Sequence, residues 1–258
     1  MKYSSIACVA DNTIKAQKVL KFLLAKYNIT ELPPKPKDDL IIVLGGDGFM
    51  LHTLHKYMSY NIPFFGMNVG NVGFLLNEFN HEDLLLRIKK SKPTIIHPLK
   101  MEAVTTKGEI EKRLAINEVS LMRSTNQAAK IRISVNDSVQ ILELVSDGVM
   151  VATPAGSSAY NFSVGGSIIP LGSNILALTP ISPFRPRRWS GALLPHNATI
   201  KLEILEFDKR PVNAVADFLD VTDVSCVTIE EDRDSRIKLL FDEDHSLEER
   251  IIKEQFTF

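Results

Sequence analysis

Short apolar runs alternate with segments of helical periodicity over the first third of the chain. The strand-like runs are residues 5–10, 40–44 and 62–67, and the helical patterns are residues 12–27, 48–58 and 82–90. In the first helical pattern, the residues expected to share the buried face are Ile14, Val19, Phe22 and Leu23. An unbroken apolar run such as residues 40–44 is typical of a parallel strand that helices cover on both faces. The alternation therefore predicts an α/β domain with a parallel sheet and right-handed crossovers.

The pattern changes near Pro93, where apolar and polar residues begin to alternate at a spacing of two. Ile131, Ile133 and Val135 are the clearest case, and this spacing is typical of half-buried strands. The strand-like segments are residues 94–106, 110–122, 130–135, 139–145, 199–205, 226–230 and 236–241. The second part of the chain is therefore predicted to be mostly β.

The 258 residues are enough for two domains, because single hydrophobic cores stop growing near about 250–300 residues. We expect an α/β domain over residues 1–95 and a β-rich domain over residues 96–242. Residues 247–256 carry a helical pattern, and we expect residues 243–258 to pack back on the first domain.

The composition is that of an ordinary globular protein, with 45% apolar and 24% charged residues. A net charge of −1 gives no reason to expect a nucleic-acid or membrane partner. Cys8 and Cys226 are the two cysteines, so a disulfide framework is not expected. We find neither a signal-peptide core nor an apolar run of roughly 18 residues. The expected location is a reducing cytoplasm.

The first motif, Gly45-Gly46-Asp47-Gly48, lies where an apolar strand ends and a helical pattern begins. Backbone amides and a helix N-terminus in such a loop can face an anion, although the sequence is neither a Walker A nor a GxGxxG motif. A carboxylate repels phosphate unless a cation intervenes or the carboxylate has a chemical task. Asp47 is therefore a candidate catalytic residue, the alternative being a glycine turn in which Asp47 caps the next helix.

The second motif, residues 68–75, contains Gly70 and Gly73 and follows the third predicted strand. It therefore lies on the same edge of the predicted sheet as the first motif, where ligands of such sheets bind. The alternative is a tight loop whose glycines only permit positive φ.

The third motif is the pair Asn117-Glu118 inside an apolar segment. An amide and a carboxylate are costly to bury unless partners satisfy them, and ribose hydroxyls or an adenine amino group would suit both. A turn at an edge strand explains the pair equally well.

The fourth motif, residues 147–160, begins with Asp147-Gly148 and continues as Thr-Pro-Ala-Gly-Ser-Ser-Ala-Tyr over residues 153–160. Small hydroxyl residues and glycines after a strand are typical of a surface where a ligand approaches the backbone closely.

These four motifs, in this order and followed by residues 178–183, resemble the NAD kinase family over residues 41–195. The resemblance implies a Rossmann-like or phosphofructokinase-like α/β domain, then a β-sandwich domain and a helical tail. It also implies ATP-dependent phosphorylation of the 2'-hydroxyl of the adenosine ribose of NAD, with Mg2+ or another divalent cation accompanying ATP. The first domain would then bind phosphate and carry the catalyst, and the second would bind the dinucleotide.

The resemblance implies roles for single residues. Asp47 would contact the adenosine ribose and act as the base that activates its 2'-hydroxyl, and Gly46 and Gly48 would bind phosphates. Asn117 and Glu118 would contact the ribose and the base of NAD.

Further residues are expected to line the dinucleotide pocket in a homodimer or homotetramer whose sites lie at a subunit interface. Asp147 would hold the nicotinamide end, and Lys130 aligns with a basic contact of the family. The other lining residues are Phe74, Ser158, Ala159, Tyr160, Asn161 and Ser163.

Three positions depart from the family pattern. Ala155 and Ser158 replace threonines, and Phe218 stands where glycine commonly follows the aspartate that is Asp217 here. Residues 185–189 are unusually basic and are interpreted as a solvated loop, with phosphate or subunit binding as the alternative.

Two other functions would also use the first motif. One is a kinase of the same superfamily that acts on a lipid or sugar alcohol, and the other is a non-catalytic NAD-binding sensor. His52 and His55 have a spacing that can share a metal, but with no third ligand in view, helix packing accounts for both and no protein metal site is assigned.

Overall fold

The computed structural model describes Tyr3 and residues 5–31, 39–70 and 73–243. The strands of this part of the chain, numbered in order, are β1 (Ile6–Ala10), β2 (Thr30–Glu31), β3 (Leu40–Gly45), β4 (Phe64–Asn68), β5 (Asn77–Glu78), β6 (Lys92–Ile96), β7 (Leu99–Thr105), β8 (Ile110–Ala115), β9 (Glu118–Arg123), β10 (Ala129–Val135), β11 (Ser138–Ser146), β12 (Gly148–Ala152), β13 (Ile175–Ile181), β14 (Ala192–Pro195), β15 (Ile200–Ile204), β16 (Val212–Ala216), β17 (Leu219–Val221), β18 (Val224–Glu231) and β19 (Ile237–Phe241). The α-helices are α1 (Ile14–Lys26), α2 (Asp47–Tyr57), α3 (Leu84–Lys90) and α4 (Tyr160–Ser163), and Met58–Tyr60 and Gly156–Ser158 form 3-10 turns.

The chain divides into two compact units. The α/β unit contains the described residues up to Ile96 and from Ser235 onward, and the β unit is His97–Asp234.

The α/β unit is built on one twisted sheet with the strand order β2-β1-β3-β4-β19-β6, and β5 pairs with β4. The strands from β2 to β19 are parallel, and β6 runs antiparallel to β19. The register places Ala10 beside Leu44, and Gly45 beside Asn68. The loops after β1, β3 and β4 therefore leave the same edge of the sheet, as the sequence predicts.

Helix α1 begins after Thr13, whose hydroxyl oxygen accepts a hydrogen bond from the N–H of Ala16. Its buried residues are Ala16, Leu20 and Leu23. The expected burial of Ile14 and Phe22 is wrong, because these side chains are 77% and 43% exposed. The helix has apolar residues on more than one face, and the small Ala16 marks the face that approaches the sheet.

Strand β19 pairs with β4 and β6 and so belongs to the α/β unit. Residues 236–241 fall within the range 96–242 that was expected to form the second domain. Strand β19 lies instead in the sheet of the α/β unit, because the chain returns to that sheet after β18. Residues 244–258, which include the predicted terminal helix, lie outside the described residues.

The β unit contains two six-stranded antiparallel sheets, ordered β11-β10-β15-β18-β7-β8 and β14-β13-β12-β9-β16-β17. Buried residues of both sheets form a single core, for example Ile131 and Leu202 of the first sheet and Leu121 and Val151 of the second. The alternating pattern of the sequence thus corresponds to a β-sandwich, and the predicted fold class, an α/β domain followed by a β-sandwich, is confirmed.

Two segments predicted as single strands are each two strands. Residues 94–106 are interrupted at His97-Pro98, and residues 110–122 are interrupted at Ile116-Asn117. In the second case β8 and β9 belong to different sheets, so the chain changes sheets at the third motif.

Candidate functional site

The first motif forms the turn from β3 into α2. Strand β3 ends at Gly45, and Gly46 is the N-cap residue of the 11-residue helix that begins at Asp47. A Cβ atom built at Gly46 or Gly48 would meet no atom within 4 Å among the residues the structure describes. The backbone of this loop is therefore open to a ligand, and the helix N-terminus favours a negative charge there.

The carboxylate of Asp47 is held by the second motif. Its Oδ2 accepts a hydrogen bond from the N–H of Phe74 at 2.7 Å, and its Oδ1 accepts one from the N–H of Leu75 at 3.0 Å. A Cβ atom at position 73 would lie 3.1 Å from Asp47 Oδ1 and 2.9 Å from the Leu76 side chain, so a glycine fits this close approach. Two N–H donors stabilise the negative charge of the carboxylate and fix its orientation.

The third motif lies at the break between β8 and β9 and is held by Asp217. The carboxylate of Asp217 accepts hydrogen bonds from the N–H groups of Ile116, Asn117 and Glu118, at 2.7, 2.9 and 3.1 Å. The N–H of Asp217 donates in turn to the carbonyl oxygen of Glu118 at 3.0 Å. Asp217 adopts a left-handed conformation with φ 56°, and Phe218 after it is exposed.

Residues of the fourth motif bind the carbonyl oxygens of Ile116 and Asn117. The Thr153 hydroxyl donates to the carbonyl oxygen of Ile116 at 2.7 Å, and the Thr153 N–H donates to that of Asn117 at 2.9 Å. A Cβ atom at position 156 would lie 2.2 Å from the Asn117 carbonyl oxygen, so only glycine fits at Gly156 without movement of the backbone. Residues 116–118 are thus fixed along their whole backbone.

The side chains of this fixed segment retain polar atoms without partners. Asn117 Oδ1 and Glu118 Oε2 are buried and accept no hydrogen bond from the described residues. Burial, and secondarily the charge of Asp217, raise the pKa of Glu118 from 4.5 to about 7. Such atoms are costly to leave without partners, and a bound ligand with hydroxyl or amino groups would satisfy them.

The remaining residues of the fourth motif have mixed surroundings. Asn161 is buried, and its amide donates to the carbonyl oxygens of Ser157 and Ser167 and accepts from the Thr179 hydroxyl. These hydrogen bonds occupy the Asn161 side-chain amide and hold residues 157–167 in place. Ser158 and Ala159 are half-buried, whereas Tyr160 and Ser163 are exposed.

Two predicted binding residues are in ion pairs. Asp147 Oδ1 lies 2.5 Å from Arg123 Nε. Lys130 Nζ lies 2.6 Å from Glu206 and 3.4 Å from Glu143, and the hydrogen bond to Glu206 raises the pKa of Lys130. A ligand that used either residue would have to compete with these partners, and both roles stay predictions.

The contacts of Asp217, Thr153 and Arg123 with the candidate site residues were not predicted, although Thr153 belongs to the fourth motif. In the sequence Asp217 stands out only as the residue before Phe218, which departs from the family pattern, and its contact with residues 116–118 depends on the pairing of β9 with β16. That pairing has no signal in a single sequence.

Among residues 3, 5–31, 39–70 and 73–243, no cluster of three or more His, Cys, Asp or Glu is placed to hold a metal ion. His52 and His55 therefore lack a third protein ligand within this part of the chain. The described helices include none that is long and apolar enough to cross a membrane.

A glycine turn with an open backbone and a fixed carboxylate, on an α/β unit joined to a β-sandwich, fits the class of nucleotide-dependent phosphotransferases. Solved structures share the fold. The chain matches yeast NADH kinase complexed with NADH with a TM-score of 0.83 and 19% identity, covering 100% of this chain and 90% of that chain. It matches an NAD kinase from Archaeoglobus fulgidus in complex with ATP with a TM-score of 0.76 and 22% identity, covering 97% and 98%.

Family comparisons are more specific. The model of the ATP-NAD kinase N-terminal domain matches residues 11–85, and that of the C-terminal domain matches residues 116–238. Proteins named NAD kinase from Rickettsia typhi and Rickettsia canadensis are 50% and 52% identical over 256 residues, with 99% of each chain covered. The chain belongs to the NAD kinase family.

Proposed function

We propose that the chain phosphorylates NAD with ATP at the 2'-hydroxyl of the adenosine ribose, to give NADP and ADP. The observation that carries this proposal is the carboxylate of Asp47, fixed by the N–H groups of Phe74 and Leu75 within an open phosphate loop. A site that only bound phosphate would gain nothing from a carboxylate there. NAD is proposed as the phosphate acceptor because relatives that are 50% and 52% identical over 256 residues are named NAD kinase.

In the α/β unit, Gly46 and Gly48 would bind phosphate groups of ATP through the open backbone of the first turn of α2. Asp47 would accept the proton of the 2'-hydroxyl as its oxygen forms a bond to the terminal phosphorus of ATP and the bond to the ADP oxygen breaks. Positioning and charge neutralisation provide most of the catalysis in such a transfer.

In the β unit, Asn117 and Glu118 would bind the adenosine part of NAD, since their buried oxygens lack partners among the described residues. Phe74, Lys130, Asp147, Ser158, Ala159, Tyr160, Asn161 and Ser163 are kept as proposed lining residues. A homodimer or homotetramer and a cytoplasmic location stay predictions from the resemblance.

Mg2+ would arrive with ATP, because it usually binds through one or two carboxylates together with substrate phosphates. The residues present fit a cation that the phosphates and water would hold, since the backbone at Gly46 and Gly48 is open. When bound, the cation would neutralise charge on the transferred phosphate.

The test is a coupled assay. The chain is incubated with NAD, ATP and Mg2+, and an NADP-specific dehydrogenase with its substrate then reports NADP by absorbance of the reduced cofactor. We expect NADP to form in proportion to time and chain concentration. ATP consumption with a sugar or lipid alcohol, but no NADP from NAD, would instead support the other kinase.

A further inference from the structure

The connection between β13 and β14 has a concentration of positive charge. Residues 182–191, which we call the arginine loop, include Arg185, Arg187 and Arg188 and no acidic residue. All three arginines are exposed, and within the described chain none of them forms an ion pair with a carboxylate. The net charge of the whole chain is −1, so this excess of positive charge is local.

The absence of carboxylate partners separates these arginines from the others of the β unit. Each of the other arginines in this fully described unit forms an ion pair with a glutamate or an aspartate, and they are Arg113, Arg123, Arg132, Arg210 and Arg233. Like charges that are held close together repel one another, although water and salt weaken the repulsion. Three neighbouring guanidinium groups without a counter-charge are therefore complementary to an anion that carries several charges.

The backbone of the arginine loop is fixed by the strand before the fourth motif. The N–H of Phe184 donates to the carbonyl oxygen of Val145 at 2.7 Å, and the N–H of Val145 donates to the carbonyl oxygen of Arg185 at 2.8 Å. At the other end of the loop, the half-buried Trp189 packs against the core of the β unit. A ligand that binds here would therefore meet a preformed backbone, which lowers the entropic cost of binding.

An aromatic ring lies among the arginines. Phe184 is 50% exposed, and the guanidinium carbons of Arg185 and Arg187 lie 5.5 and 5.1 Å from the centroid of its ring. Aromatic rings and guanidinium planes offer surfaces on which a nucleic-acid base stacks. Guanidinium groups also bind phosphates through paired hydrogen bonds. The loop thus combines the two chemistries that recognise a nucleotide.

We propose that the arginine loop binds a nucleoside polyphosphate, that is, a single nucleotide with two or three phosphates. One exposed ring suits one base, and three guanidinium groups suit the charges of a short phosphate chain. A nucleic acid is less suited, because it is bound along a basic track. Strands β11, β13 and β14, which adjoin the loop, contain no lysine or arginine to continue such a track.

This site is separate from the residues proposed to bind the adenosine of NAD. Glu118 pairs with Ala152, and Ile181 pairs with Gly148, which is four residues away from Ala152 along β12. Four residues of strand span roughly 14 Å, and the arginine loop begins beyond Ile181. The turn from β3 into α2 belongs to the other unit. The inference therefore goes beyond the proposed function.

The experiment uses the fluorescence of the loop itself. Trp189 is the single tryptophan of the chain and is adjacent to Arg188, so its emission reports binding at the arginine loop. The full chain is titrated with ATP, inorganic triphosphate, NAD and a single-stranded RNA oligonucleotide. Calorimetry counts the ATP molecules bound per chain.

The variants separate charge from stacking. Arg187→Glu together with Arg188→Glu reverses two charges of the loop. The matched control is Lys89→Glu together with Lys90→Glu, because these lysines are exposed on α3 and give the same change in net charge. Phe184→Ala removes the ring and keeps all three arginines. Thermal melting verifies that each variant is folded.

ATP and inorganic triphosphate should both change the Trp189 emission of the wild type. The double arginine variant should bind both ligands about tenfold or more weakly at the loop, since hydrogen bonds to charged groups are lost. It should also bind one ATP fewer per chain than the wild type. Phe184→Ala should weaken ATP about fivefold or more and leave inorganic triphosphate within about twofold. The lysine control should behave as the wild type.

Unchanged Trp189 emission with ATP, together with the same number of bound ATP molecules in the wild type and the double arginine variant, would overturn the inference. Equal weakening in the lysine control would also overturn it, because only the total charge would then matter. So would a response to RNA alone, or displacement of ATP from the loop by NAD. None of these readouts depends on NADP formation, so a chain without kinase activity would contradict the proposed function and leave this test intact.

Discussion

Replacing Glu118 by glutamine tests the buried carboxyl of the third motif. The wild-type side chain has a buried oxygen without a partner among the described residues, and burial together with Asp217 raises its pKa from 4.5 to about 7. Glutamine keeps the shape but does not ionise. We therefore expect the substitution to change the pH dependence of stability.

The sign follows from proton binding. Between pH 4.5 and about 7 the folded protein holds a proton on Glu118 that the unfolded chain has released. The stabilisation from this extra proton is thus fully present below the pKa of Glu118 in the unfolded chain. It is lost as the pH rises through the pKa of Glu118 in the folded protein. A rise in pKa from 4.5 to about 7 corresponds to roughly 3 kcal/mol in the free energy of unfolding. The wild type loses this contribution by about pH 8. Glu118→Gln does not lose it, because glutamine does not ionise.

The assay is chemical denaturation of the wild type and Glu118→Gln at pH 5 and pH 8, without NAD. At pH 5 the two should have similar free energies of unfolding, and at pH 8 the variant should be more stable by up to roughly 3 kcal/mol. Glu109→Gln is the control, because Glu109 is exposed in the connection between β7 and β8. The same difference at both pH values would refute the account of Glu118.

Further predictions concern the backbone of the third motif. Asp217→Asn places the amide donor of asparagine against a backbone N–H group. It should therefore lower the free energy of unfolding by about 1–3 kcal/mol and raise the KM for NAD. The control Asp220→Asn changes an exposed residue of the same hairpin and should do neither. If Asp217→Asn had the KM and stability of the wild type, Asp217 would not be what holds residues 116–118 in place. Gly156→Ala forces a Cβ against the Asn117 carbonyl and should cost about 1–3 kcal/mol in denaturation, while Gly172→Ala, which meets no described atom, should cost little. Equal stability of the two alanine variants would contradict the contact.

Local patterns predicted much of the fold. The strands before and after the first motif followed from unbroken apolar runs, and the strands of the β unit followed from alternation at a spacing of two. Pairings between distant residues could not be predicted in this way. Strand β19 has the pattern of any half-buried strand, and only its pairing with β4 and β6 assigns it to the α/β unit.

The sequence likewise predicted the part of the candidate site that follows from neighbouring strands, and not the part that depends on distant contacts. The first two motifs lie together because adjacent parallel strands end at one edge, which the sequence predicts. The support of the third motif by Asp217 joins residues 101 positions apart, and its geometry depends on the change of sheet at Ile116-Asn117. A single sequence has no periodicity that reports such a contact.

Asp47→Asn provides the most direct test of the central claim, that Asp47 is the base for transfer to the 2'-hydroxyl of NAD. Asparagine can still accept one of the hydrogen bonds from Phe74 and Leu75, but it cannot take the proton. The measurement is the rate of NADP formation at saturating ATP and NAD, with NAD binding determined by calorimetry. We predict a fall in kcat of about 10²- to 10⁴-fold in a variant that still binds NAD. A variant with the kcat of the wild type would contradict the claim.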